Sequence, residues 1–432
     1  MTKIKWRIAQ IVTIAAALGL AVVQPNDARA TEGYFNTGYG AIQKSLAGAG
    51  VADSEDATAL AINPAGLVDV GQQFNGSITS FMPTREYTAS GTQFIAPGTV
   101  QSGHGLFPIP TFAYSQQIDG ESAFGVAAYG NGGLDTSYNV FNRNTLTNGV
   151  FGTGITGVDL NQAFLSAGYA RRFGPISVGI APILVVQRFN AWGLAAFESL
   201  SSDPFNVTNQ GYDWAVGVGL RAGLEWNVAP GWRLGVAGAT PAATTKFQSY
   251  RGLFADQGSF DAPASITAGV AWDVLPTATL LFDYKHIFYS DIAPVGNSSQ
   301  IQLPLGSSGG PGFGWHDIDV FTIGAEWRVA PELTLRAGYA HNTQPIRSSD
   351  IVFNILAPGV ITDSIATGFS YHLSANSAFD VAAIFAPRHD VSGQVPVAFG
   401  GGAVDLSMWQ VEVTAGWSYR FETGTPTIVA KY

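Results

Sequence analysis

Six histidines stand in a chain without cysteine, and two of them, His316 and His389, are each followed directly by an aspartate, Asp317 and Asp390. A carboxylate can orient an imidazole for general-base work, but neighbouring residues of a strand point to opposite faces, so neither dipeptide is a ready catalytic pair. No G-x-S-x-G elbow joins a strand to a helix, and no H-E-x-x-H occurs. Without thiols there is no thiol nucleophile, Cys-ligated zinc or disulfide framework. Neither enzyme chemistry nor a metal or cofactor is expected, and the chemistry left is recognition. Trp192, Leu194, Phe197 and Leu200 form one apolar cluster; Phe247, Tyr250, Leu253, Phe254 and Phe260 form another, with Lys246 and Arg251 nearby. Exposed apolar clusters in long loops mark a binding surface for an apolar molecule. Lys246 or Arg251 beside the cluster, or Lys285 deeper in, suits a carboxylate at the head of such a ligand.

What must position these residues is an exported chain. Lys3, Lys5 and Arg7 precede an apolar run from Ile11 to Val23, and Ala28-Arg29-Ala30 supplies a small-x-small cleavage site, so residues 1–30 read as a signal peptide. The mature chain from Thr31 carries 17 basic and 30 acidic side chains, −13 in all, which argues against a nucleic-acid partner. The whole chain is 46% hydrophobic but only 12% charged, half the charge of ordinary soluble domains, at about 25%. Yet no later run approaches the roughly 20 apolar residues of a membrane helix. Periodicity decides what remains.

From Asp213 to Trp226 the even positions are Trp214, Val216, Val218, Leu220, Ala222, Leu224 and Trp226, against small or charged residues at the odd ones. Trp409, Val411, Val413, Ala415, Trp417, Tyr419 and Phe421 repeat this period of two. The template predicts fourteen strands, near 73–83, 110–117, 122–129, 161–172, 176–189, 213–226, 232–246, 265–274, 278–289, 317–328, 333–341, 363–372, 378–387 and 407–421. Tight turns alternate with long loops, as in a bacterial barrel with periplasmic turns and outer loops. Phe173, Trp226, Trp272, Trp327 and Tyr371 precede the short turns and form an aromatic girdle at one membrane interface. Arg221, Glu225, Asp273, Asp283, Lys285, Glu326, Arg328, Arg336, Asp380, Glu412 and Arg420 share the other face. Facing lipid, an Arg or Lys would cost about 2–4 kcal/mol, so they belong to the lumen, as structural pairs across strands and against a plug. The expected fold is all-β, a fourteen-stranded antiparallel transmembrane β-barrel at 71–421, with a tail at 422–432.

Residues 31–70 are rich in Ala and Gly, with a short helix start at Asp53 to Leu60 and a turn signal at Asn63-Pro64-Ala65-Gly66. They suit a plug inside the lumen. Gly33-Tyr34-Phe35-Asn36, Gly38-Tyr39-Gly40, Ser45 to Asp53 and above all Asn63-Pro64-Ala65-Gly66-Leu67 resemble the FadL and TodX family of outer-membrane transporters of hydrophobic compounds. The resemblance implies that 31–70 is an N-terminal hatch and that apolar ligands are caught by extracellular loops and released sideways. It places the lateral opening at Gly130-Asn131-Gly132-Gly133, where the third strand ends in glycines that permit a bend. It further implies a monomer in outer-membrane lipid, inserted by the barrel-assembly machinery and moving ligands passively. Long-chain fatty acids are the expected substrate; aromatic or other neutral hydrocarbons are the alternative, with a general porin behind them. A basic residue on the ligand favours fatty acids and an all-apolar pocket favours hydrocarbons. Many barrels end on an aromatic residue, whereas eleven residues follow Phe421 here.

Overall fold

A computed structural model describes residues 32–421; the expected signal peptide and the tail at 422–432 lie outside the described residues. The period-two segments form fourteen antiparallel strands closed into a barrel. Numbered around the wall, these are β1 Gln73–Ser90, β2 Phe107–Gln117, β3 Ser122–Tyr138, β4 Thr156–Phe173, β5 Ile176–Trp192, β6 Asp213–Ala229 and β7 Trp232–Ala239. The second half is β8 Ser265–Leu275, β9 Ala278–Ile287, β10 Ile318–Ala330, β11 Leu333–Asn342, β12 Asp363–His372, β13 Ser377–Gln394 and β14 Ala403–Arg420. β14 pairs with β1 from Gln73↔Arg420 to Ser90↔Ala403, so the wall has no first or last edge.

Several strand limits differ from those the pattern predicts, and so does one helix start. β3 does not end at the glycines but continues through them to Tyr138. β7 stops at Ala239 instead of running to 246, because Pro241 brings no N–H to the ladder and residues 243–244 pair separately with β6. The helix start at Asp53 to Leu60 is a short 3₁₀ turn, Ala57–Ala61, capped by Asp56, whose side chain accepts from Thr58 N.

The alternation holds where it was strongest. Along β6 Trp214, Val216, Val218, Leu220, Leu224 and Trp226 are exposed on the outer face, while Ala215, Arg221 and Glu225 are buried inside. Phe173, Trp226, Trp272 and Trp327 are exposed near the short turns, and Trp232 stacks on Trp272 with ring centroids 5.0 Å apart. An apolar outer band with aromatic residues at its lower rim makes this a membrane-spanning wall. No helix among the described residues is long and apolar enough to cross a membrane.

Candidate functional site

The segment before β1 lies inside the wall. Its helix α1, Gly40–Ser45, packs on β11, β12, β13, β14 and β1; the turn Ala57–Ala61 packs on β1 to β4; and Pro64–Gly66 packs on β4, β5 and β6. What lets a main chain come this close to the wall is a series of lumen-facing glycines. A Cβ on Gly179 would lie 2.4 Å from Ala65 N, on Gly223 1.9 Å from Asn63 Oδ1, on Gly235 2.1 Å from Val51 O, and on Gly338 2.2 Å from the Leu46 carbonyl carbon. Glycine is the only residue that fits at such distances.

Polar groups complete the seat. Asn63 is fully buried; its amide donates to Val51 O at 2.7 Å and to Leu224 O at 3.1 Å, and its oxygen accepts from Ala65 N at 3.1 Å. Pro64 opens the short 3₁₀ turn of Pro64–Gly66, and Gly66 has no room for a Cβ beside Ser54. Arg336 joins Glu55 at 2.6 Å and Glu326 at 2.7 Å, Arg233 joins Asp53 at 3.1 Å and Asp273 at 2.6 Å, and Lys44 pairs with Glu412. Asp283 accepts from Gly50 N at 2.8 Å and Val51 N at 3.0 Å. Removing one partner of a buried pair costs about 3–5 kcal/mol, so these charges fix the segment in one place. Arg328 and Arg420 stand opposite the buried Thr334 and Gln73 in their ladders, on the expected lumen face, but at its short-turn end, where both are exposed. The beginning of the segment is clamped by aromatic rings, Tyr34 on Tyr289 at 5.0 Å and Phe35 on Tyr289 at 5.7 Å, while Gly33 turns with φ 67° under Trp315.

Burial lifts the Asp56 carboxyl from 3.8 to about 6, against the hydrogen bond from Thr58 that lowers it. A raised value means that the packed segment holds the proton more tightly than the released one. Its stabilisation is therefore full below about pH 4 and is lost as pH rises to about 6, at about 1.4 kcal/mol per unit. Hydrogen exchange in residues 40–66 is expected to show stronger protection at pH 4 than at pH 6.5, after correction for intrinsic rates, and Asp56→Asn to flatten that dependence.

The wall itself is incomplete at one place. The β2–β3 ladder ends at Thr111↔Tyr129; beyond it Phe107–Pro110 pair with β1 and no longer with β3, and residues from Gly130 onward pair with β4, with Gly132 also bridging to Phe35. The register slips between Gly130 and Gly132, leaving Asn131 in a bulge. The freed backbone turns to the N-terminal segment: Asn36 N donates to Asn131 O at 2.9 Å, the Asn36 side chain to Gly130 O at 2.6 Å, and Gly133 N to Tyr34 O at 3.1 Å. The Tyr39 hydroxyl donates to Asn131 Oδ1 at 2.5 Å. Above, Gly103 N bonds Ser137 O at 2.7 Å, and Arg85 crosses from β1 to the carbonyls of Asp135 and His104. The result is a window bounded on every side. Its other edge was legible in Phe107-Pro108-Ile109-Pro110, since prolines on alternate positions mark a strand edge that lacks a partner; the sequence reading began that strand at 110 and missed them.

One cavity reaches this window, and it shares lining residues with a pocket under the loops and with an outer groove. A narrow pocket of about 50 Å³ under the long loops has an entirely apolar lining that includes Phe189, Leu194, Phe197, Phe254, Phe260 and Leu305. It shares Leu134 and Leu160 with a cavity of about 750 Å³, which reaches Tyr34 and Phe35 on one side and Phe107 to Pro110 on the other. That cavity in turn shares Phe112, Ala128 and Leu165 with a groove along the outside of the wall. The three linings thus follow one another from beneath the loops to the lipid face, apolar at both ends and partly polar between, at Arg85, Asp135, Asp159 and Arg188.

No family model matches the chain, and no curated protein does. Solved structures do. The Pseudomonas putida toluene transporter TodX aligns with a TM-score of 0.66 at 20% identity, over 90% of this chain and 100% of its own. A Pseudomonas aeruginosa FadL homologue aligns at 0.68 and 14%, again over 90% and 100%, and the Ralstonia pickettii toluene transporter TbuX at 0.61 and 19%, over 89% and 99%. The fold is that of the TodX and FadL-like barrels. At such identities the likeness is one of fold.

Within this FadL-like barrel the residues expected to meet a ligand separate into groups. Phe197 and Phe254 line the narrow pocket. Phe247 and Tyr250 pack behind it on Phe189, at 5.6 and 4.8 Å, and Trp192 is half-buried beside the His104 ring at 6.3 Å. The loop clusters are therefore not the exposed surface their position predicts: the long loops fold onto one another and bury the rings, leaving Leu200 outside. The three basic candidates are held elsewhere. Lys246 donates to Asp256 O at 2.5 Å, Arg251 pairs with Asp203 at 2.5 Å, and Lys285 pairs with Glu32 at 2.7 Å. None of them lines either cavity; Arg85 and Arg188, which the sequence reading did not single out, line the larger one.

Proposed function

We propose that this barrel is an outer-membrane channel that lets neutral hydrophobic molecules pass inward passively and as a monomer, with residues 31–70 as its hatch and the window between β2 and β3 as a lateral exit. The observation that carries the reading is the window opening onto a cavity that continues into an all-apolar pocket. A molecule drawn from water into that pocket gains by burial, and it can leave sideways into lipid without crossing the filled lumen. A general porin would need that lumen open. TodX and TbuX are described as toluene transporters and CymD as a monoaromatic hydrocarbon channel, which agrees with a pocket bare of polar groups. Long-chain fatty acids are the second reading, favoured by Arg85 and Arg188 on the larger cavity; both guanidiniums already face carboxylates, Asp135 at 3.6 Å and Asp159 at 3.8 Å.

Uptake of radiolabelled toluene and oleate into cells lacking their own transporter tests this. Saturable toluene uptake dependent on the protein is expected. Oleate uptake alone would move the substrate to fatty acids, and uptake of neither, with large ion conductance, would make the chain a porin.

A further inference from the structure

The larger cavity is not apolar throughout. Where it reaches the start of the N-terminal segment, Tyr34 and Gln162 line it, 4% and 3% exposed. The Tyr34 hydroxyl meets the Gln162 carboxamide, and beyond that contact the polar side-chain atoms of neither have a hydrogen-bond partner. Gln187 stands opposite Gln162 in the β4–β5 ladder, fully buried, with its amide nitrogen and oxygen also unpartnered. Three neighbouring buried side chains thus share only the Tyr34–Gln162 contact, and the Gln187 carboxamide has none. Folded proteins rarely leave such groups unpaired, and a cluster of them implies something that supplies the missing bonds.

We propose that Tyr34 and Gln162, with Gln187 behind the cavity lining, form a subsite for the neutral hydrogen-bonding head group of an otherwise apolar ligand, a phenol or alcohol hydroxyl. The inference rests on the channel reading and narrows its substrate class. A carboxamide offers both donor and acceptor, and so does a phenol; a hydroxyl needs that combination. An anion fits poorly. None of the three carries positive charge, burial holds the Tyr34 phenol neutral, and the charge that acts on it is the carboxylate of Asp261. The two arginines of the cavity are engaged by Asp135 and Asp159. A plain hydrocarbon would supply none of the missing bonds.

The test is titration calorimetry on the full-length protein in detergent with toluene, 4-methylphenol and 4-methylbenzoate, which share one ring and differ in head group. Wild type is expected to bind 4-methylphenol about tenfold more tightly than toluene, the effect of one or two added hydrogen bonds. Gln162→Leu is expected to abolish that preference by weakening 4-methylphenol binding about tenfold. Tyr34→Phe is expected to reduce the preference and to show that the effect does not depend on one substitution. Equal binding of toluene and 4-methylphenol by wild type, a preference retained in both variants, or tightest binding of 4-methylbenzoate would overturn the subsite and leave the channel standing. Failure of wild type to bind any of the three would overturn both.

Discussion

Gly223→Val and Gly338→Val are each expected to convert the barrel from a closed protein into one that conducts ions in a planar bilayer. At Gly223 the added Cβ would fall 1.9 Å from Asn63 Oδ1, and at Gly338 2.2 Å from the Leu46 carbonyl carbon. The Leu46 carbonyl is main chain, and the Asn63 carboxamide is a side-chain end already held by its hydrogen bonds. Asn63 is bonded to Val51 O and Leu224 O, and Leu46 follows α1 on its far side, so the N-terminal segment must leave its seat as a unit. Once it shifts, Lys44–Glu412 and the pairs of Arg336 and Arg233 separate, each worth about 3–5 kcal/mol if one partner stays buried alone. The strands themselves pair through backbone bonds that the substitution does not touch, and a folded-form band on an unheated gel checks that the wall persists. Gly324→Ala is the control. Its nearest neighbours lie 3.2 Å away or more, at the side chains of Leu46 and Ala49, and it is expected to stay closed. Conductance unchanged in both valine variants would contradict the view that the glycines seat the segment.

What could be read from the residues alone follows from how local each signal is. The outer face of β6 and the girdle of Phe173, Trp226, Trp272 and Trp327 depend only on alternation within one strand and on the turn that follows it, and both appear where expected. Turn lengths are equally local, and the sorting of short turns from long loops carried the barrel. The role of the lumen glycines is not local: Gly223 and Gly338 gain their meaning from Asn63 and Leu46, far away in the chain. Lys285 illustrates the same limit, because its partner Glu32 lies 253 residues away and no spacing links them. The aromatic loop residues were correct in kind but placed on the surface; loop on loop packing, which buries Phe247 and Tyr250, leaves no periodic trace. At the window the sequence held one half of the answer in Gly130 to Gly133 and the other in Pro108 and Pro110. Reading the glycines as a strand end hid the fact that β3 runs on without its neighbour.

The central claim, that apolar molecules leave through the wall between β2 and β3, is tested most directly by closing the window with a covalent bond. Gly130 would place a Cβ 2.7 Å from Ile109 Cγ2, and one further carbon–carbon bond leaves the two Cβ positions no farther apart than the roughly 4.5 Å that a disulfide spans. The chain has no cysteine of its own, so Ile109→Cys with Gly130→Cys can form one bond and no other within the molecule. Toluene uptake by cells carrying this double variant should fall under oxidising conditions to that of cells without the protein and return when a reductant is added, with each single variant unaffected by either treatment. Uptake by the fully oxidised double variant equal to that of wild type would show that the molecules take another way out.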